Sequence, residues 1–131
     1  IQAHNSDRQP LLVKIAPDLE WGPIEEVLAL AQEHGLAGIV ATNTTVDHSS
    51  IPEARRTTGG LSGAPLRARA TEVVRFITAR SPLPVIAVGG IMSADDALEK
   101  FDAGAALVQL YTGFVYEGPG LVRRICEALL R

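Results

Sequence analysis

The amino-acid sequence predicts an α/β fold: about four parallel strand-helix units that make up half of a (β/α)8 barrel, and three observations carry this. Short apolar runs alternate with amphipathic helical segments along the whole chain. Such alternation demands right-handed crossovers and a parallel sheet with helices outside it. A complete barrel takes ~250 residues, so 131 residues are about half of one. Each predicted strand also ends in polar residues or glycines: Lys14; Thr42, Asn43 and Thr44; Gly89 and Gly90; Tyr111 and Thr112. Barrel enzymes assemble their sites from the ends of several strands, whereas an open doubly wound sheet gathers its ligand at one switch point. No linker-like stretch interrupts the pattern, so residues 1–131 read as a single partial barrel unit.

Residues 1–10 are polar and read as the tail of a loop. Residues 11–16 form a nearly continuous apolar run broken by Lys14, the pattern of a strand buried on both faces. Asp18 and Glu20 lead into a helix whose first turn suits Pro23. Its packed face is Ile24, Val27, Leu28 and Ala31, and Gly35 stands where a left-handed cap belongs. Residues 36–41 repeat the strand grammar and end in Thr42-Asn43-Thr44-Thr45. A loop rich in Ser, Thr, Pro and Gly runs to Gly63, and Pro65 opens a helix with Leu66, Ala70, Val73, Val74 and Ile77 inward. Pro82 and Pro84 stop it before strand 85–88, which Gly89 and Gly90 close. Ser93 is a good N-cap for a helix through Ala97, Leu98 and Phe101, with Asp95 and Asp96 in the first turn and Gly104 past the end. Residues 105–110 are the fourth strand, entered as the second is, from a glycine through small residues. Residues 111–118 read as a turn-like connection, and Pro119 begins a last helix with Val122, Ile125, Cys126, Leu129 and Leu130 inward.

Composition removes several function classes. With 47% hydrophobic and 21% charged residues the chain is an ordinary globular one. A net charge of −3 and scattered Lys and Arg give no electrostatic footprint for nucleic acid. The single cysteine, Cys126, cannot form an internal disulfide; on the apolar side of its helix it reads as a small buried hydrophobe, in a reducing compartment. No apolar run reaches the ~20 residues that cross a bilayer, and no signal peptide or presequence opens the chain, so any membrane or targeting element is expected outside it. No metal-ligand spacing links His4, His34 and His48, and the carboxylates Asp18 and Glu20, or Asp95 and Asp96, read as helix caps.

Lys14, inside Val13-Lys14-Ile15-Ala16-Pro17-Asp18, needs a partner if buried: a bound anion supplies one, and a strand-tip salt bridge or snorkelling to water is the equal alternative. The amide and hydroxyls of residues 42–45 could read a planar ligand of mixed donors and acceptors, or simply form a turn. Gly59-Gly60-Leu61-Ser62-Gly63, Gly89-Gly90 and Tyr111-Thr112-Gly113 could each bring backbone N–H groups close to a phosphate, or serve only as tight turns. Their combination is stronger, because barrel phosphate sites lie between the loops after the last two strands and a short extra helix.

Taken in order, the blocks Val13-Lys14-Ile15-Ala16-Pro17-Asp18, Thr42-Asn43-Thr44-Thr45, Gly59-Gly60-Leu61-Ser62-Gly63, Val88-Gly89-Gly90-Ile91 and Gln109-Leu110-Tyr111-Thr112-Gly113-Phe114, with Glu117-Gly118-Pro119 after them, resemble the quinone-dependent class of the dihydroorotate dehydrogenase family, C-terminal half. The resemblance runs from Leu11 nearly to the end. It implies an FMN cofactor. Lys14 would lie beside the flavin ring, Thr42 would touch it, and Ser62, Gly63, Gly90, Tyr111 and Thr112 would hold its phosphate end. Asn43 and Thr44 would bind the ring of dihydroorotate. It further implies oxidation of dihydroorotate to orotate in pyrimidine synthesis, with a quinone as electron acceptor. The intact protein would be peripheral on the cytoplasmic side of a cell membrane, or on the mitochondrial inner membrane in a eukaryote.

In that family the base that removes the C5 proton comes from the first half of the barrel, as do the helices that admit quinone. No catalytic base is therefore assigned in this sequence; Ser62 belongs to the glycine loop. The chain is expected to be inactive alone and, with open sheet edges, to self-associate or pair with the missing half. Another FMN or phosphate-binding barrel oxidoreductase, which the Asn43-Thr44 cluster argues against, and a non-catalytic phosphate-binding half-barrel are the alternatives.

Overall fold

A computed structural model describes Asn5 and residues 9–130; most of the predicted leading loop, with His4, lies outside the described residues. Strands β1 (Leu12–Ile15), β2 (Gly38–Ala41), β3 (Val85–Val88) and β4 (Leu107–Gln109) form one parallel sheet in chain order. That order has no switch point, as a barrel wall requires and a doubly wound sheet does not. The crossovers are α1 (Trp21–Glu33), α2 (Arg67–Thr78) and α3 (Ala94–Asp102); α4 (Thr112–Glu117) and α5 (Gly120–Leu129) follow the last strand.

Register separates the two faces of the sheet. Ile15, Ile39, Ala41, Val85 and Ala87 turn outward and pack on Ile24, Leu28 and Ala31 of α1 and Val73, Val74 and Ile77 of α2. Each large aliphatic side chain buried there contributes roughly 1.5–3 kcal/mol. The opposite face carries the row Lys14, Val40, Ile86 and Leu107, aligned by the pairings of neighbouring strands. Among the described residues no helix packs against this row, and Leu107 is 59% exposed. Outside the sheet, Trp21 of α1 stacks on Phe76 of α2 at 4.4 Å, with the Arg69 guanidinium 4.2 Å above the Trp21 ring. Arg69 also donates to the carbonyls of Pro17 and Leu19, at 2.9 Å each, and so ties the β1–α1 loop to α2.

Several local expectations are corrected. Residues 111–118, read as a turn-like connection with room for a short helical turn, contain the helix α4; six residues are too few to show a 3.6-residue period in sequence. Leu121 and Ile125 bury α5, while Val122, Cys126, Leu129 and Leu130 are exposed. The helix packs through the stripe nearest α3 in a cluster with Ile91 and Ala97, and the rest of its apolar face is exposed. Nor do Asp18 and Glu20 cap α1: no side chain caps it, and Asp18 reaches elsewhere. Ser93 does cap α3, accepting from the Asp96 N–H at 3.2 Å and donating to the Asp96 carboxylate at 2.9 Å.

Candidate active site

All four strands deliver residues to one cavity of about 350 Å3 at their C-terminal ends. Lys14 enters from β1, Thr42, Asn43 and Thr44 from the end of β2, Gly90 from the end of β3, and Tyr111 and Thr112 from the end of β4. Ser62 and Gly63 arrive from the long loop after β2. Lys14, Thr42, Asn43, Thr44, Ser62, Gly63, Gly90, Tyr111 and Thr112 all line this cavity, whereas Thr45, Gly59 and Gly60 do not.

The β2 end is fixed by its neighbours: the Thr42 N–H donates to the Val88 carbonyl at 2.8 Å and the Asn43 N–H to that of Ile15 at 2.7 Å. Thr42 is thereby buried, while the Asn43 and Thr44 side chains stay exposed toward the cavity. Beyond them the chain is pinned again. Thr45 forms a two-way bridge with Leu61, and the Asp18 carboxylate accepts from the Thr45 hydroxyl and, at 3.2 Å, from the Val46 N–H. Two hydrogen bonds from Ser49 hold the Asp47 carboxyl below its ordinary pKa and shape the same loop.

The glycines are required by space. A Cβ on Gly60 would sit 1.9 Å from Oγ1 of Thr44, and one on Gly113 would sit 2.0 Å from the Ile91 carbonyl oxygen. Gly63 combines a φ of +80° with a Cβ position 3.0 Å from Thr112, so a side chain there meets backbone strain and a tight contact. The glycine loop thus lies directly on α4, where the hydroxyls of Ser62 and Thr112 hydrogen-bond at 2.9 Å.

Lys14 departs from expectation. It was predicted within a strand buried on both faces, yet it is exposed on the uncovered inner face, with no hydrogen-bond or ion-pair partner among the described residues. Neither the salt bridge nor full burial applies; the ammonium reaches open space at the cavity, as the alternative of snorkelling to water has it. Gln109 also lines the cavity and was not singled out as a site residue; its signal was parity, since it stands on the cavity-facing side of its strand, paired with Val88. Lys100 was missed too. A lysine in the last turn of a helix reads as solvated, but this one is fully buried between α2 and α3. Among the described residues no cluster of His, Cys, Asp and Glu could hold a metal ion, and no helix is long and apolar enough to cross a membrane.

The sequence model of the dihydroorotate dehydrogenase family matches residues 2–131. The chain belongs to the dihydroorotate dehydrogenase family. Its relatives include the dihydroorotate dehydrogenase (quinone) of Acaryochloris marina, 54% identical over 99% of this chain and 37% of the relative. The protein of the same name from Gloeobacter violaceus is 53% identical over 98% of this chain and 37% of its own length. The crystal structure of the ligand-free enzyme from Eimeria tenella superposes with a TM-score of 0.86 at 40% identity, covering 94% of this chain and 35% of that one. The chain therefore spans little more than a third of the family members it matches, and its four strands are part of a (β/α)8 barrel.

Proposed function

We propose that this chain is the C-terminal part, as one partial barrel unit over residues 1–131, of a quinone-dependent dihydroorotate dehydrogenase that oxidises dihydroorotate to orotate with FMN. The observation that carries the reading is the convergence of Lys14, Asn43, Thr44, Gly63, Gly90 and Thr112, far apart in sequence, on one cavity.

The residues present fit FMN. At one end glycine backbone and the paired Ser62 and Thr112 hydroxyls form a cradle that a Cβ would fill, the arrangement that receives a phosphate. At the other, the Lys14 ammonium, exposed at the cavity, suits an electron-rich ring edge. Gly63, Gly90, Ser62, Tyr111 and Thr112 would hold the phosphate end, and Thr42 and Lys14 the ring. FMN, when bound, supplies the hydride acceptor for the reaction.

The chain's own residues orient and stabilise. Asn43 offers an amide donor and acceptor and Thr44 a hydroxyl, together enough to fix a pyrimidine ring in one orientation. Lys14 stabilises the negative charge that grows at its end of the cavity as hydride leaves C6 of the substrate. The C5 proton leaves to a base outside this chain. A quinone accepts the electrons, which places the complete protein at a membrane surface, on the cytoplasmic side in a bacterium or at the inner mitochondrial membrane in a eukaryote. The isolated chain is inactive, and it self-associates or pairs with the rest of the barrel.

The complete protein, purified and mixed anaerobically with dihydroorotate, should lose its flavin absorbance and regain it on addition of a quinone. A preparation that carries no flavin, or whose flavin dihydroorotate leaves oxidised, would sink the reading.

A further inference from the structure

Lys100 is the largest fully buried side chain among the described residues, at 0% exposure. Its Nζ donates to the Arg67 carbonyl at 3.0 Å and to the Thr71 hydroxyl, which itself donates to the same carbonyl at 2.9 Å. Arg67 opens α2, and α3 grips it at its other end as well. Its guanidinium meets the Asp96 carboxylate at 2.6 Å and that of Glu99 at 2.8 Å. The second Asp96 oxygen accepts from the Met92 N–H at 3.0 Å, just past the Gly89-Gly90 turn.

That turn is in contact with the residue so held. A Cβ placed on Gly90 would lie 2.3 Å from Cα of Arg67 and 2.5 Å from its nitrogen, and one on Gly89 would lie 2.9 Å from Cβ of Ala70. Ser62 and Gly63 lead through the short 3-10 turn Ala64–Leu66 into the same residue. Both glycine walls of the cavity therefore pack on or lead into the first turn of α2, which Lys100 ties to α3 together with the Asp96 and Glu99 ion pairs. Burying an ammonium is costly, and an apolar side chain of equal length would fill the space at less expense, leaving the Arg67 carbonyl its Thr71 partner. Stability alone does not account for a lysine here.

We propose that Lys100 is a positioning residue for the phosphate end of the cavity, setting the first turn of α2 against the Gly89-Gly90 turn. The assignment rests on the flavin reading above. It acts through Arg67 and touches no ligand.

The test compares wild type, Lys100→Met and Thr71→Val in the complete protein stripped of flavin, measuring affinity for FMN, affinity for riboflavin, which lacks the phosphate, and the unfolding midpoint of the apo form. For Lys100→Met, FMN affinity should fall about tenfold or more, with riboflavin affinity held and the apo midpoint unchanged or raised; Thr71→Val should show a smaller loss of the same kind. Unchanged FMN affinity overturns the proposal, as does an equal loss for both flavins accompanied by a lower apo midpoint, which marks a lysine serving stability only. If Lys100→Met does not fold, Thr71→Val decides by the same criteria. Wild type that binds neither flavin refutes the underlying site instead, and the proposal with it.

Discussion

Two lysines in this chain meet opposite environments. Lys14 stands exposed at a strand end with no partner among the described residues, so Lys14→Met removes a charge from the cavity without opening a hole in the core. Losing a preorganised charge of this kind costs about 10²–10³-fold in the step it assists. In the complete protein, stopped-flow measurement of flavin reduction by dihydroorotate should show that loss, with the apo unfolding midpoint held; a variant that reduces its flavin at the wild-type rate would remove Lys14 from the proposed chemistry. Lys100 is the reverse case. Burial, opposed by Glu99 and Asp96 and reinforced by Arg67 and Arg75, lowers its pKa from 10.5 to about 8. Between those values the folded protein has released a proton that the unfolded chain keeps, so stability rises with pH across that window. The slope is at most about 1.4 kcal/mol per pH unit. Denaturant midpoints at pH 7.5 to 10 should show the rise in wild type relative to Lys100→Met; parallel curves would mean that the lysine titrates normally. The two residues also mark what could be read from sequence. Lys14 was legible because it interrupts an apolar run at a strand end. Lys100 was hidden, because its burial comes from the packing of α2 on α3, a contact between segments with no mark in local periodicity.

At the level of elements, strands and crossover helices followed from alternation and from proline and glycine punctuation, and the outer sheet face packs as the pattern demanded. The failures lie where a local signal answers to a distant neighbour. Asp18 looked like a cap for α1 but bonds Thr45 across the loop, and α5 buries only the part of its apolar stripe that α3 reaches. Helix α4 is set by contact rather than propensity: Gly113 is buried against the Ile91 carbonyl, so α4 lies directly on the loop after β3. Gly113→Ala puts a methyl group into a backbone oxygen that no rotamer can move aside. The strain should cost about 1–3 kcal/mol, and because Thr112 moves with α4, flavin affinity should fall along with the thermal midpoint. A variant with unchanged midpoint and unchanged flavin affinity would show that α4 is free to shift.

The molecule as a whole presents more apolar surface than its own elements can cover. β1 and β4 are both sheet edges, the inner row ends at the exposed Leu107, and Phe114, Val115 and Tyr116 of α4 are exposed, as are Val122 and Leu129 of α5. Unpaired edges with exposed apolar side chains recruit further strands, and an in-order parallel sheet gains most from strands that continue its own curvature. The isolated chain is thus predicted to form oligomers, and to give them up for a stoichiometric complex when co-expressed with the remainder of the barrel. Leu107→Lys places a charge on both the β4 edge and the inner face; it should weaken either assembly while leaving the outer core between α1, α2 and the sheet intact. Light scattering after size exclusion reads both outcomes. A monodisperse monomer with one sharp thermal transition at micromolar concentration would show that the four strands satisfy themselves, and the partner-dependent reading of the fold would have to be given up.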